Sequence, residues 1–172
     1  MLRIKFNSLV LVLLVITVNA TAQHAITIKE NAEELVTATV NNDFKVVVKY
    51  TYPALVKMMG GADKMISVLT NGFETMKAQG AAFKGGEIGV PGKILNTGDK
   101  LFSVVPEKLI MESNGTKFYT TSSLLAISLN KGVNWYFLDG GNMTDAQIEQ
   151  LFPEVRGKLT IPKRTNPVVI ND

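Results

Sequence analysis

The chain has 172 residues, no cysteine, and 18 lysines and arginines against 15 acidic residues, a formal charge of +3. Without cysteine there are no disulfides and no thiol chemistry, so stability must come from apolar burial, which a single domain of this length can supply. The one histidine, His24, lies close to the N-terminus where it is poorly fixed, so no Ser–His nucleophile is expected; the absence of cysteine removes Cys–His systems, and any zinc site would draw almost wholly on carboxylates.

The first eight residues hold Arg3 and Lys5 and no acid. Leu9–Val18 is apolar apart from Thr17, and Asn19-Ala20-Thr21-Ala22 puts small residues where a signal peptidase reads. This pattern predicts a signal peptide over residues 1–22, cleaved after Ala22, and an exported, soluble mature chain beginning at Gln23. The apolar run is far shorter than the roughly twenty residues that span hydrocarbon, so no stable membrane insertion is expected after cleavage. Arg3 and Lys5 leave with the leader, so the basic residues fall from 18 to 16 against 15 acids. Charges of both signs are interspersed and no basic stripe forms, which argues against a nucleic-acid partner.

Residues 23–30 read as an N-terminal arm, with His24 an exposed tail residue. A single domain is expected over 31–161. Asn31 and Glu34 form a capping-box pattern that opens a helix with apolar positions Ala32, Leu35, Val36 and Val40. Asp43 suits the N-cap of a second helix through Phe44, Val47 and Val48, although Val46-Val47-Val48 has strand propensity. Pro53 fits the first turn of a third, Pro53–Met59. After Gly60-Gly61, the residues Ala62, Met65, Ile66, Leu69, Phe73 and Met76 share one face of the clearest helix, which Gly80 stops.

Beyond Gly80 the pattern turns to strands. Ala82–Val90 is the first, and Lys100–Val105 the second, with Pro106 weakening its continuation into Leu109–Glu112. Asn114-Gly115 is a hairpin signal leading into Thr116–Leu129, and Val133–Leu138 follows. Met143–Phe152 reads as a short helix, Val155–Ile161 as a last strand, and residues 162–172 as a loose tail. Helices followed by a meandering sheet predict an α+β fold, with N-terminal helices on a curved antiparallel sheet. The helix Ala62–Gln79 is expected to cover the concave face and leave a pocket at one end.

Asn41-Asn42-Asp43-Phe44, Tyr50-Thr51-Tyr52-Pro53, Met59-Gly60-Gly61 and the long helix resemble the opening of the nuclear transport factor 2-like superfamily, also called cystatin-like. Asn134-Trp135-Tyr136-Phe137-Leu138-Asp139 resembles the late strand of its small exported bacterial members. The likeness runs from about Asn31 to Ile161 and implies a cone-shaped α+β fold. That superfamily holds isomerases, cyclases, dehydratases and binding domains, and its members often dimerise through the convex sheet. None of its catalytic residues maps onto this chain.

Tyr50, Tyr52, Tyr119 and Trp135 are candidate pocket-lining residues, offering hydroxyls or an indole N–H, with ordinary core packing as the other use. Phe73 joins them on a soft, methionine-rich helix face. Among carboxylates on or beside strands, Glu87 and Asp139 are candidate lining residues. Asp139 also fits a solvated turn beside Gly140-Gly141, and Glu112 should face water near the hairpin tip. Neither Gly85-Gly86 nor Gly140-Gly141 sits in a phosphate-loop frame, so turns and bulges account for them. No catalytic residue, metal or cofactor is assigned. The reading is a non-catalytic domain that binds a small apolar or amphipathic ligand or a protein partner. Two others stay open: a cofactor-free isomerase or dehydratase using a tyrosine and a carboxylate, and a homodimerisation module paired through the sheet face.

Overall fold

The computed structural model describes the backbone of residues 5–171 and the side chains of residues 21–171. The expected leader therefore falls almost wholly outside the described side chains. Among the described residues no helix is long and apolar enough to cross a membrane.

The first helix, α1 (Lys5–Val40), runs unbroken through the stretch expected to be an arm, so Asn31 lies inside a helix and caps nothing. Ile28 explains the continuity. It extends the four-residue spacing of Ala32 and Val36, and all three are buried in one cluster against the sheet. His24 is no free tail residue: its ring meets Trp135 edge-on, with centroids 5.9 Å apart. All these contacts lie on the chain that cleavage after Ala22 would leave.

The next three helices are α2 (Phe44–Tyr50), α3 (Pro53–Met58) and α4 (Ala62–Ala78). Asp43 caps α2 by accepting a hydrogen bond from Val46 N at 3.3 Å. The three valines are helical despite their propensity, because this puts Phe44, Val48 and Tyr50 in the interior. Gly60 and Gly61, with φ of 92° and 97°, turn the chain between α3 and α4. Helix α4 buries only Met65 fully, so the main cover of the sheet is α1, not the helix expected there.

Among the described residues the sheet has six antiparallel strands: β1 (Ala81–Ile88), β2 (Leu95–Asn96), β3 (Leu101–Ser113), β4 (Thr116–Ser128), β5 (Tyr136–Asp139) and β6 (Val168–Val169). The main order is β1-β3-β4-β5, with β2 on β3 and β6 on β4. Asn114 and Gly115, at φ 50° and 81°, close the β3–β4 hairpin with the positive φ values that turn requires.

Pro106 does not interrupt β3. Its carbonyl accepts from Gly89 N at 2.8 Å, on the edge where the β1 ladder has just ended. In an antiparallel strand a residue's N–H and C=O point the same way, so the missing N–H faces that same edge and costs no ladder bond to β4.

Both faces of the sheet are covered at its centre. Leu101, Val105, Leu109, Leu124, Ala126 and Phe137 pack towards α1. Phe102, Leu125, Ile127 and Leu138 pack the other way, against α5 (Asp145–Leu151), Phe152, Val155 and Ile161. Residues 155–161 form no strand. A 3-10 turn at Pro153–Val155 and an extended segment seat Val155 and Ile161 on that outer face instead.

Residues 162–170 are not a loose tail. Thr165 N donates to Thr121 O at 2.9 Å, Val168 and Val169 pair with Tyr119 and Phe118, and Ile170 N donates to Lys117 O. The segment lies along the free edge of β4 and carries Arg164 to the end of β5.

Candidate functional site

A cleft of about 360 Å³ opens between α1, α2 and α4 and the inner face of the sheet. Its walls are largely apolar, with Val36, Leu69, Phe73, Leu109, Leu124 and Phe137 among them. One end is polar and is built by two strands, the 3-10 turn after the second and the C-terminal segment: Glu107 on β3, Asp139 at the end of β5, Asn142 after it, and Arg164.

Strand register places these groups. Glu107 lies two residues from Val105 and two from Leu109, so the pleat sends it to the same inner face. Ser122 stands directly opposite it on β4, and Leu124 opposite Asp139. Asp139 is well satisfied: Arg164 Nη2 donates to Oδ2 at 2.7 Å, Asn142 Nδ2 donates to Oδ2 at 2.7 Å, and Ser122 Oγ donates to Oδ1 at 3.3 Å.

Glu107 is different. Only 7% of it is exposed, and among the described residues its side chain has no hydrogen bond and no ion pair. Burial pushes its carboxyl up to about 7, the negative charge of Asp139 adds to the rise, and the positive charge of Arg164 opposes it. Three fully buried polar atoms lack a partner among the described residues: Trp135 Nε1, Arg164 Nε and Thr120 Oγ1, of which Thr120 lies two residues along β4 from Ser122.

Glycine makes this corner possible. A Cβ at Gly141 would collide with Ser122 Oγ and stand 3.0 Å from Ser123 N and 3.3 Å from Arg164 N. The bare backbone lets the 3-10 turn Gly140–Asn142 lie against β4 and lets Gly141 O accept from Arg164 N at 3.1 Å.

Two of the seven residues expected to line a pocket, Phe73 and Asp139, meet at this cleft. Phe73 packs between Phe44 and Phe83, at centroid distances of 4.8 Å and 5.4 Å, and also borders a second cavity of about 490 Å³. Tyr50 is buried beside Phe137, but its hydroxyl turns outward and donates to Glu34 Oε2 at 2.6 Å. Burial and that bond to Glu34 hold the phenol above its ordinary range. Tyr52 belongs to the opposite face, with its ring on Phe152. Tyr119 lies beneath Lys108, 5.0 Å from the ring centroid. Trp135 is core, 1% exposed, and its Nε1 has no protein partner. Glu87 is exposed and paired with Lys108 at 3.0 Å, and Glu112 faces Lys84 at 3.4 Å.

No tyrosine borders the cleft, so the expected tyrosine–carboxylate pair does not form there. Sequence reasoning passed over Glu107 because Pro106 had divided its strand in two. The available signal was its place in the alternation Leu101, Ser103, Val105, Leu109, where an acid replaces a core residue. Nothing local marks Arg164.

These elements define an α+β protein whose helices pack on one antiparallel sheet, with an apolar cleft ending in a buried acid. Compared with protein-family models, with curated proteins and with solved structures, the chain matches none.

Proposed function

We propose that this protein binds a small amphipathic ligand in the cleft between α4 and the sheet and does no chemistry on it. The observation that carries this reading is Glu107, a buried acid whose side chain has no hydrogen bond or ion pair among the described residues and which borders a largely apolar cavity of about 360 Å³. A buried polar group is normally satisfied, so one left open at the end of an apolar cleft is a position for a ligand's polar end. We include the cone-shaped nuclear transport factor 2-like fold in the proposal, with the cleft as the interior of that cone. Its support is the helix-covered inner face together with the motif resemblance. Export belongs to the same proposal and rests on the residue pattern up to Ala22.

Native mass spectrometry of the mature protein, purified gently from its own host, tests the binding. The expected result is a bound small molecule that Leu69→Trp, which fills the cleft from the α4 side, displaces. A protein of apo mass throughout, or a ligand that Leu69→Trp retains, would refute the reading.

A second reading has one specific observation behind it. A carboxyl pushed up to about 7 by burial is matched to proton transfer at neutral pH, so Glu107 alone could serve as an acid–base group for an isomerisation. Turnover of any bound molecule, lost in Glu107→Gln, would replace the binding reading with this one.

A further inference from the structure

The charges around the polar end select among head groups. We propose that the cleft takes an amphipathic amine, with its apolar body between α4 and the sheet and its cationic nitrogen on Glu107. This inference rests on the binding reading above and names the class of ligand.

Three charged groups border the cleft: Glu107, Asp139 and Arg164. The Arg164 guanidinium gives Nη2 to Asp139 at 2.7 Å and its backbone is anchored to Gly141, while its Nε has no partner among the described residues, so two carboxyls share one cation. Asn142 and Ser122 give their bonds to Asp139 as well. What is left is Glu107, a carboxyl with no ion pair of its own among the described residues. The packed helices supply none: α1 contributes Leu35, Val36 and Thr39 to the cleft, α2 Val47, and α4 Met65, Leu69 and Phe73. Glu34 and Lys49, on α1 and α2, pair with each other and with Tyr50 outside it.

Each head group meets this arrangement differently. A carboxylate or phosphate would find one open donor, Arg164 Nε, but would have to approach two carboxyls that outnumber the single cation, a net repulsive arrangement. A neutral hydroxyl finds a hydrogen-bond acceptor but no compensating charge. An ammonium supplies the missing charge and up to three donors in one group, and a charge-assisted hydrogen bond is about twice as strong as a neutral one. It is the head group that best offsets the cost of keeping Glu107 ionised away from water.

The test uses three probes with the same ring and similar length: 2-phenylethylamine, 2-phenylethanol and 3-phenylpropanoate. Dissociation constants are measured by titration calorimetry on the full mature chain at pH 7.5. The amine is expected to bind about tenfold or more tighter than the alcohol, the difference of a charge-assisted bond, and the carboxylate weakest of the three. Glu107→Gln should bring the amine down to the level of the alcohol. In the unmodified protein, amine binding should weaken from pH 7.5 to pH 5 as Glu107 takes up a proton.

If the alcohol or the carboxylate binds as tightly as the amine, the amine inference falls while the cleft remains a binding site. Equal amine affinity in Glu107→Gln also overturns it. If no probe binds, the inference falls together with the binding reading. Should Glu107→Gln fail to fold, the three-probe ranking and its pH dependence in the unmodified protein decide alone.

Discussion

Arg164 Nη2 stands 2.7 Å from Asp139 Oδ2, a contact spanning 25 residues that joins the C-terminal segment to the end of β5. It gives Asp139 an ion pair and leaves Glu107, on the same cleft, with none of its own among the described residues. The segment that follows, from Thr165 to Ile170, is pinned to the free edge of β4.

Removing that contact should loosen both ends. Arg164→Ala leaves two carboxylates facing the cleft with no cation between them, and a broken pair with partial burial costs about 1–3 kcal/mol. Hydrogen exchange should quicken at Thr165 and Ile170, whose amides bond to β4. Unchanged protection at both amides would mean that the edge pairing alone holds the segment.

The pH dependence of stability should carry the signature of Glu107. Its folded carboxyl titrates at about 7, above the ordinary 4.5, so the folded state holds the proton more tightly. The resulting stability is complete below pH 4.5 and is lost as the pH rises through 7, to the extent of about 3 kcal/mol. Glu107→Gln has no proton to lose, so it should gain on the unmodified protein over that interval. Urea denaturation of both at pH 4.5 and pH 8 measures the difference, and a constant gap would contradict the assignment.

Two glycine substitutions should have opposite effects. Gly141→Ala places a methyl against Ser122 and close to two backbone nitrogens, an overpacking worth about 1–3 kcal/mol of destabilisation. Gly72 lies inside α4, and a Cβ there meets nothing within 4 Å, so Gly72→Ala should stabilise by about 0.4–1 kcal/mol. Thermal melts of the two variants would show shifts of opposite sign.

Export has a direct readout. Protein recovered from outside the cytoplasm is expected to begin at Gln23, as intact mass and N-terminal sequencing would show. An intact Met1 on the recovered protein would refute cleavage. The buried residues of α1 from Ile28 onward lie beyond the expected cut, so the packing on the sheet should survive it.

Much of the fold was legible because its signals are local. The Asp43 cap, the break at Gly60-Gly61 and the hairpin at Asn114-Gly115 each depend on a few adjacent residues, and each stands where the sequence puts it. The errors came where local signals met tertiary demands. Asn31 and Glu34 look like a helix start, but burial of Ile28 carries α1 through them. Pro106 looks like a strand break, but its missing N–H happens to face an edge that needs none. Val155–Ile161 has strand propensity, yet its two buried side chains are satisfied without a ladder. The site suffered most, since the broken reading of β3 hid Glu107 and the tail reading hid Arg164.

The sequence by itself therefore determined the α+β class, the hairpin and most helix positions, and it excluded cysteine and paired-histidine chemistry, since composition, period and turn type are properties of neighbouring residues. Only the tertiary structure decided that Asp139 is neutralised and Glu107 is not. That outcome depends on strand register and on a C-terminal segment returning to the sheet. Charge balance in such a corner is set by distances between residues far apart in the chain, and no local pattern encodes them.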